Sequence, residues 1–184
     1  FRIGTSSKRR SEQLRILNEG LEILPVRGNV ITRIGKIFSD EVDGVILARA
    51  GIDRLLADNK YVTEYSDIFD KISISVIKES DLLPAPAQGI LCAEYANDDM
   101  AEILEKIQDK ECESLFAAER RYLSVLQADC HTSAGIFISA ASEKYSIKAY
   151  FDGKYMEADN IEKTLENLLM SVEELAGKLK RENV

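Results

Sequence analysis

The chain of 184 residues has little histidine and cysteine, and each shortage excludes a class of protein. Its three cysteines, Cys92, Cys112 and Cys130, are too few for a disulfide scaffold, and with one histidine they lack the spacing of a metal site. A Cys–His catalytic pair is disfavoured, because the adjacent side chains of Cys130 and His131 diverge and no second histidine exists.

Long apolar runs and targeting segments are missing too. No stretch of about 18 apolar residues occurs, so no transmembrane segment is predicted. The first residues resemble neither a secretory leader nor a transit peptide. With 45% hydrophobic and 30% charged residues, the composition is typical of a globular protein, and we expect a cytoplasmic location.

The net charge of −8 disfavours a general nucleic-acid binder, but it hides an asymmetry. Residues 1–54 contain ten Lys and Arg and seven Asp and Glu, a net charge of +3. The remainder contains 14 Lys and Arg and 25 Asp and Glu, a net charge of −11. Eight of the eleven arginines lie in the first part, namely Arg2, Arg9, Arg10, Arg15, Arg27, Arg33, Arg49 and Arg54. Arginine is therefore concentrated near the start of the chain.

Three strand–turn–helix units follow one another in the same part of the chain. Strands are predicted over residues 1–3, 21–26 and 43–48, and helices over residues 8–18, 30–38 and 52–56. Ser6 or Ser7 caps the first helix and Asn29 caps the second. Repeated units of this kind predict a parallel sheet, in which ligands bind beyond the carboxyl ends of the strands.

Each predicted strand end carries arginine, as Arg9 with Arg10, Arg27 with Arg33, and Arg49 with Arg54. Arginines gathered without counter-charges repel one another, whereas a ligand with several carboxylates or phosphates would be held by charge-assisted hydrogen bonds. A polyanionic small ligand is therefore favoured over a solvated basic turn.

The middle of the chain carries weaker signals. Residues 61–69 have no clear period and no functional interpretation, whereas Ile72–Ile77 alternates as a strand. The two prolines of Leu83–Gly89 predict an extended crossing between domains, followed by an apolar strand over Ile90–Glu94.

From Asp98 an acidic α+β module with an antiparallel three-stranded sheet is predicted. Two helices over residues 99–109 and 111–127 precede a hairpin over 135–140 and 145–151 and a short strand over 154–156. A capping box of Asp159 and Glu162 is expected to start the final helix. Cys130 lies on a polar loop, where it is either a free thiol or a covalent attachment point, whereas Cys92 and Cys112 are interpreted as small buried hydrophobes.

Six motifs in this order resemble the hydroxymethylbilane synthase family, also called porphobilinogen deaminase. They are Gly4–Arg10, Arg27–Arg33, Leu47–Leu55, Leu83–Gly89, Ala118–Arg120 and the loop cysteine Cys130. The resemblance implies that Cys130 carries a dipyrromethane cofactor through a thioether. It also implies that the acetate and propionate groups of the cofactor and the growing pyrrole chain are bound by Thr5, Ser7, Arg9, Arg10, Arg27, Arg33, Arg54 and Gln88.

The family joins four porphobilinogen molecules into hydroxymethylbilane with release of ammonia. By resemblance, residues 1–82 form an α/β domain of the periplasmic-binding-protein type, 83–97 cross into a first domain, and 98–184 form the α+β domain. The family's first domain and its catalytic aspartate would precede Phe1. The chain alone is therefore expected to be inactive and to pair through residues 90–94 with a second copy or an N-terminal partner, although full-length family members are expected to be monomers.

Two other classes of function stay open at this point. A non-catalytic anion-binding module would keep the arginines and lack a modified Cys130, which mass spectrometry detects. A nucleic-acid binder, which is not favoured, would bind DNA or RNA with a steep salt dependence. Neither a metal nor a membrane partner is predicted.

Overall fold

The computed structural model describes residues 1–128, 132–141 and 143–183, apart from the side chain of Tyr61. These residues form two compact units, Phe1–Leu82 and Leu83–Val184, which we call unit 1 and unit 2. None of the helices in the described ranges combines the length and the hydropathy of a membrane-spanning segment.

Unit 1 is built on a parallel three-stranded sheet, which confirms the predicted topology. Its strands are β1 (Arg2–Gly4), β2 (Glu22–Leu24) and β3 (Gly44–Val45), in the order β2-β1-β3. Each strand is followed by a helix, α1 (Lys8–Leu17), α2 (Val30–Phe38) or α3 (Arg49–Ala57). The buried residues include Ile3, Leu14, Val26, Ile34, Val42 and Ile52.

Local capping explains where the first two helices begin. The Ser7 hydroxyl accepts a hydrogen bond from the Arg10 backbone N–H at 3.4 Å, and the Asn29 side chain accepts one from the Thr32 N–H at 2.8 Å. Both predicted caps are therefore confirmed. Helix α3 begins at Arg49, three residues before the predicted start, without a side-chain cap.

The predicted strands Ile72–Ile77 and Ile90–Glu94 are wrong, because neither segment forms a strand. Alternating polarity favours an extended chain, but a strand also needs a partner for its backbone N–H and C=O groups. In the described ranges no strand pairs with either segment. Val76 and Leu91 are 63% and 96% exposed. The association expected through residues 90–94 depended on an unpaired strand, and these residues do not form one.

After α3, unit 1 continues with two short helices, α4 (Asn59–Glu64) and α5 (Ser66–Phe69).

Unit 2 packs two long helices against an antiparallel sheet. Its elements are α6 (Asp98–Leu104), a 3₁₀ turn (Glu105–Ile107), α7 (Lys110–Leu126), β4 (Ala134–Ala141), β5 (Lys144–Phe151), β6 (Lys154–Glu162) and α8 (Leu165–Glu182). The strand order is β4-β5-β6, and the predicted three-stranded antiparallel sheet is confirmed. Ala118, Tyr122 and Leu126 of α7 are buried with Leu168, Val172 and Leu175 of α8.

The predicted capping box before α8 is wrong. Strand β6 extends from Lys154 to Glu162 and pairs with β5 on both sides of a register shift, so Asp159 and Glu162 belong to the strand. The N-cap is Thr164, whose hydroxyl accepts from the Asn167 N–H at 3.2 Å. Pairing along β5 extends the third strand well beyond the predicted residues 154–156.

Candidate functional site

The loop that follows β1 is tied to the end of β2. The Thr5 backbone N–H donates to the Leu24 carbonyl at 2.9 Å, and the Ser6 hydroxyl donates to the Val26 carbonyl at 2.7 Å. Thr5 is buried, and its hydroxyl accepts from the Ser7 N–H at 3.3 Å. These bonds hold Thr5 and Ser7 at the carboxyl edge of the parallel sheet, where α1 begins.

Arg9 and Arg10 lie in the first turn of α1. Arg9 is buried, with 8% of its surface exposed. The Arg10 guanidinium reaches the loop after β3, where Nη1 donates to the Ile46 carbonyl at 3.2 Å. Burial, and then the positive charge of Arg33, lower the pKa of Arg10. Two arginines from different helices, Arg10 of α1 and Arg33 of α2, therefore share one positive field.

Arg27 and Arg33 flank the turn between β2 and α2. Gly28 has φ 112°, and a Cβ atom built there would lie 2.7 Å from Cγ2 of Thr32, so the turn requires glycine. The Gly28 carbonyl accepts a hydrogen bond from Nε of Arg33 at 2.8 Å. The exposed Arg27 guanidinium has no hydrogen-bond or ion-pair partner within the described part of the chain.

The two arginines of α3 differ in their partners. Nε of Arg49 lies 3.2 Å from Oδ2 of Asp53, which neutralises it. Nε of Arg54 instead donates to the Ala50 carbonyl at 3.1 Å. Arg54 thus keeps an unneutralised charge on the helix that follows β3.

The amino edge of the same sheet shows the opposite arrangement. Arg2, the first residue of β1, pairs through Nη2 with Oδ1 of Asp43 at 2.7 Å and Oδ1 of Asp40 at 2.6 Å. Its hydrogen bonds lower the pKa of Asp43, and those to both carboxylates raise the pKa of Arg2. Positive charge is therefore paired at the amino edge.

At the carboxyl edge, Arg10, Arg33 and Arg54 bond to backbone carbonyls, whereas Arg49 pairs with Asp53. Across the residues that the structure describes, no carboxylate pairs with Arg10, Arg27, Arg33 or Arg54. We call these four residues the arginine cluster. Such an edge can bind an anion, because guanidinium groups form charge-assisted and often bidentate hydrogen bonds with carboxylates.

The structure places seven of the nine predicted site residues on the segments that follow the strands of unit 1. They are Thr5, Ser7, Arg9, Arg10, Arg27, Arg33 and Arg54. Gln88 belongs to unit 2, where its side-chain oxygen accepts a hydrogen bond from the Ala85 N–H at 3.3 Å. Cys130, predicted to carry the cofactor, lies outside the described residues.

One polar contact of unit 2 has no counterpart among the predicted site residues. Glu119 of α7 accepts a hydrogen bond from the Ala87 backbone N–H, next to Gln88. Burial raises the pKa of Glu119, against the effect of this hydrogen bond. The sequence drew attention to Glu119 only as a member of the motif Ala118–Arg120. That motif does not predict a contact with Ala87, which lies 32 positions earlier in the chain.

The chain is similar to known proteins over most of its length. Residues 1–104 match the family model described as porphobilinogen deaminase, dipyromethane cofactor binding domain. The chain is 36% identical to the porphobilinogen deaminase of Clostridium novyi (strain NT), a match over 97% of the chain and 57% of the relative. It is 33% identical to that of Caldicellulosiruptor saccharolyticus, over 97% of the chain and 58% of the relative.

A third relative, the porphobilinogen deaminase of Clostridium perfringens (strain SM101 / Type A), is 40% identical over 74% of the chain and 43% of its own length. The chain therefore spans about half the length of the curated relatives that it matches. Since the family model covers more than half of the chain and the relatives match nearly all of it, the chain belongs to the porphobilinogen deaminase family.

Proposed function

We propose that this chain forms the cofactor- and substrate-binding portion of a hydroxymethylbilane synthase, with the arginine cluster holding the carboxylates of the pyrrole chain. One observation carries the proposal. Arg10 and Arg33 bond to the Ile46 and Gly28 carbonyls and have no carboxylate partner in the described ranges, and the charge of Arg33 contributes to the lowered pKa of Arg10. An anion bound between them would relieve this repulsion.

The charge of the ligand fits the number of arginines. Porphobilinogen carries two carboxylates, so each unit added to a pyrrole chain brings two more negative charges. Arg10, Arg27, Arg33 and Arg54 supply guanidinium donors without an internal counter-charge, and Ser7 adds a hydroxyl. Each desolvated charge-assisted contact contributes about 1.5–3 kcal/mol. Several such contacts favour a polycarboxylate over a single anion.

The residues present fit a dipyrromethane group, which carries acetate and propionate side chains. When bound, this group would supply a primer whose free pyrrole position accepts the first unit, with each later unit joining the free end of the chain. We propose that it is attached to Cys130 through a thioether. Thr5, Ser7, Arg9 and the arginine cluster would bind and orient its carboxylates and those of the growing chain, and Gln88 would donate a hydrogen bond from its amide nitrogen.

The finer description of the fold and setting belongs to the same proposal. We assign residues 1–82 to a domain of the periplasmic-binding-protein type, 83–97 to a crossing segment and 98–184 to the α+β domain with Cys130. The assignment of residues 1–82 is supported by the parallel sheet, which carries the proposed ligand-binding side chains at its carboxyl edge. We expect porphobilinogen and the pyrrole chain as partners in the cytoplasm, with neither nucleic acid nor membrane involved.

Mass spectrometry tests the cofactor part of the proposal. The chain is produced together with the N-terminal part of a family member, in cells that synthesise porphobilinogen, and its peptides are analysed. We expect the peptide with Cys130 to carry the mass of two porphobilinogen units less two molecules of ammonia. The peptides with Cys92 and Cys112 provide internal controls, and a Cys130→Ala variant should lose the added mass.

An unmodified Cys130 in a chain that nevertheless binds polycarboxylates would contradict this proposal. That result would identify the chain as an anion-binding module that keeps the arginine cluster without the chemistry of the family.

A further inference from the structure

The segment Leu83–Gly89 is held in unit 2 at two points. At its start Leu83 is completely buried, and the Pro84 carbonyl accepts a hydrogen bond from the Ile136 N–H of β4 at 3.1 Å. Three residues later, the Ala87 N–H donates to Oε2 of Glu119 on α7. The segment is therefore fixed to a strand at one end and to a helix at the other.

The turn held by Glu119 has an unfavourable backbone. Ala87 has φ 64° and Gly89 has φ 97°, both in the left-handed region. A non-glycine residue in that region costs free energy and persists only where surrounding contacts hold it. The bonds from the Gln88 N–H to the Ala85 carbonyl and from the Ile90 N–H to the Ala87 carbonyl are local. The contact with Glu119 is what ties the turn to α7.

Glu119 is costly to place where it is. The carboxylate is partly buried and forms no ion pair within the described part of the chain. Arg121 on the same helix is 2.7 Å from Glu173 and is not a partner. Burying a carboxylate without a cation destabilises a fold. A single hydrogen bond to Ala87 does not offset that cost, so a contribution to stability does not explain why a glutamate occupies position 119. A role in positioning explains it better.

Gln88 lies at the middle of this turn with an unused donor. Its side-chain oxygen accepts from the Ala85 N–H, while its amide nitrogen has no partner among the described residues and the side chain is exposed. We infer that Glu119 is a positioning residue, which holds the Ala87 N–H and so fixes the turn in which Gln88 presents its amide nitrogen to a ligand carboxylate. This inference rests on the proposed function, which makes Gln88 a binding residue.

Two readouts in the full chain test the inference. Hydrogen exchange at the Ala87 and Gln88 amides reports the order of the turn, and calorimetric titration with porphobilinogen reports binding. In Glu119→Ala we expect both the exchange rates and the dissociation constant to rise about tenfold. Gln88→Ala should weaken binding equally, and the double variant should be no weaker than either single one.

Conservative and control variants separate positioning from general damage. Glu119→Gln keeps an oxygen that accepts the Ala87 bond, so both readouts should stay within about twofold of the unaltered chain. Glu119→Asp keeps the charge but shortens the side chain, so it should raise the exchange rates and the dissociation constant about tenfold. This variant replaces Glu119→Ala as the test if Glu119→Ala does not fold. Glu113→Ala removes an exposed carboxylate from the same helix and should change neither readout.

Unchanged exchange in Glu119→Asp and Glu119→Ala, or faster exchange with unchanged porphobilinogen affinity, would overturn the inference. A chain that does not bind porphobilinogen at all would overturn the proposed function and the ligand role of Gln88. In that case the exchange rates would still decide whether Glu119 holds the turn.

Discussion

Arg10 lies on α1 and Arg33 on α2, yet the positive charge of Arg33 adds to burial in lowering the pKa of Arg10. The Arg10 guanidinium bonds to the Ile46 carbonyl and that of Arg33 to the Gly28 carbonyl, so each is anchored by backbone rather than by a carboxylate. Anchored guanidinium groups lose little conformational freedom when an anion binds, which makes this edge of the sheet suited to recognition.

Loss of single arginines from the cluster should weaken ligand binding without unfolding the chain. We expect Arg10→Leu and Arg27→Leu each to reduce the affinity for a dipyrromethane or longer pyrrole chain by about 1.5–3 kcal/mol, because each removes a charge-assisted contact. Calorimetric titration measures the change. Arg15→Leu removes the same charge from the last turn of α1 and should leave the affinity within about twofold. Equal affinities in all three variants would show that the ligand binds elsewhere.

Gly28 and Gly35 should respond in opposite ways to alanine. Gly28→Ala introduces a side chain at φ 112°, against Thr32, and should lower the free energy of unfolding by about 1–3 kcal/mol. Gly35 lies within α2 with no atom within 4 Å of a built Cβ, so Gly35→Ala should raise it by about 0.5–1 kcal/mol. Denaturant titration of both variants is the measurement, and changes of the same sign would contradict the described turn.

The start of α8 offers a test of the corrected cap. Thr164→Ala should destabilise the chain by about 0.5–2 kcal/mol, because the Asn167 N–H loses its side-chain acceptor. Asp159→Ala, at an exposed position of β6, should change stability by less than about 0.5 kcal/mol. If thermal unfolding showed the larger loss for Asp159→Ala, the capping box would have to be restored.

Glu119 should make stability fall as the pH rises. Burial raises its pKa above the ordinary 4.5, so the folded chain holds this proton more tightly than the unfolded chain. The resulting stability is present below pH 4.5 and is lost as the pH rises through the raised pKa. Glu119→Gln does not titrate, so the free energy of unfolding of the unaltered chain minus that of the variant should decrease across this window.

The exposed carboxylates Glu41 and Asp43, whose partners lower their pKa values, titrate in both proteins and cancel in this difference. Chemical denaturation of the two proteins at a series of pH values measures it. A difference that stays constant or grows with pH would show that burial does not dominate at Glu119.

The parallel sheet and the first two helix caps could be predicted because their signals are local. Ser7 and Asn29 stand directly before the helices they cap, and the contiguous residues 21–26, predicted as a strand, contain β2. The prediction of a strand at Ile72–Ile77 was wrong because alternation is a property of that segment alone, whereas a strand also requires a second segment that pairs with it. The length of β6 was missed for the same reason, since pairing with β5 sets it.

The sequence by itself determined the concentration of arginine in residues 1–54, the three strand–helix units up to α3 and the family, since composition and contiguous motifs carry all three. The tertiary structure alone decided which arginines are neutralised. Arg2 meets Asp43, 41 positions away, whereas Arg10 meets a backbone carbonyl and the charge of Arg33. It also decided that Glu119 reaches Ala87. These contacts join residues far apart in the chain, and only the packing of separate elements brings such residues within hydrogen-bonding distance.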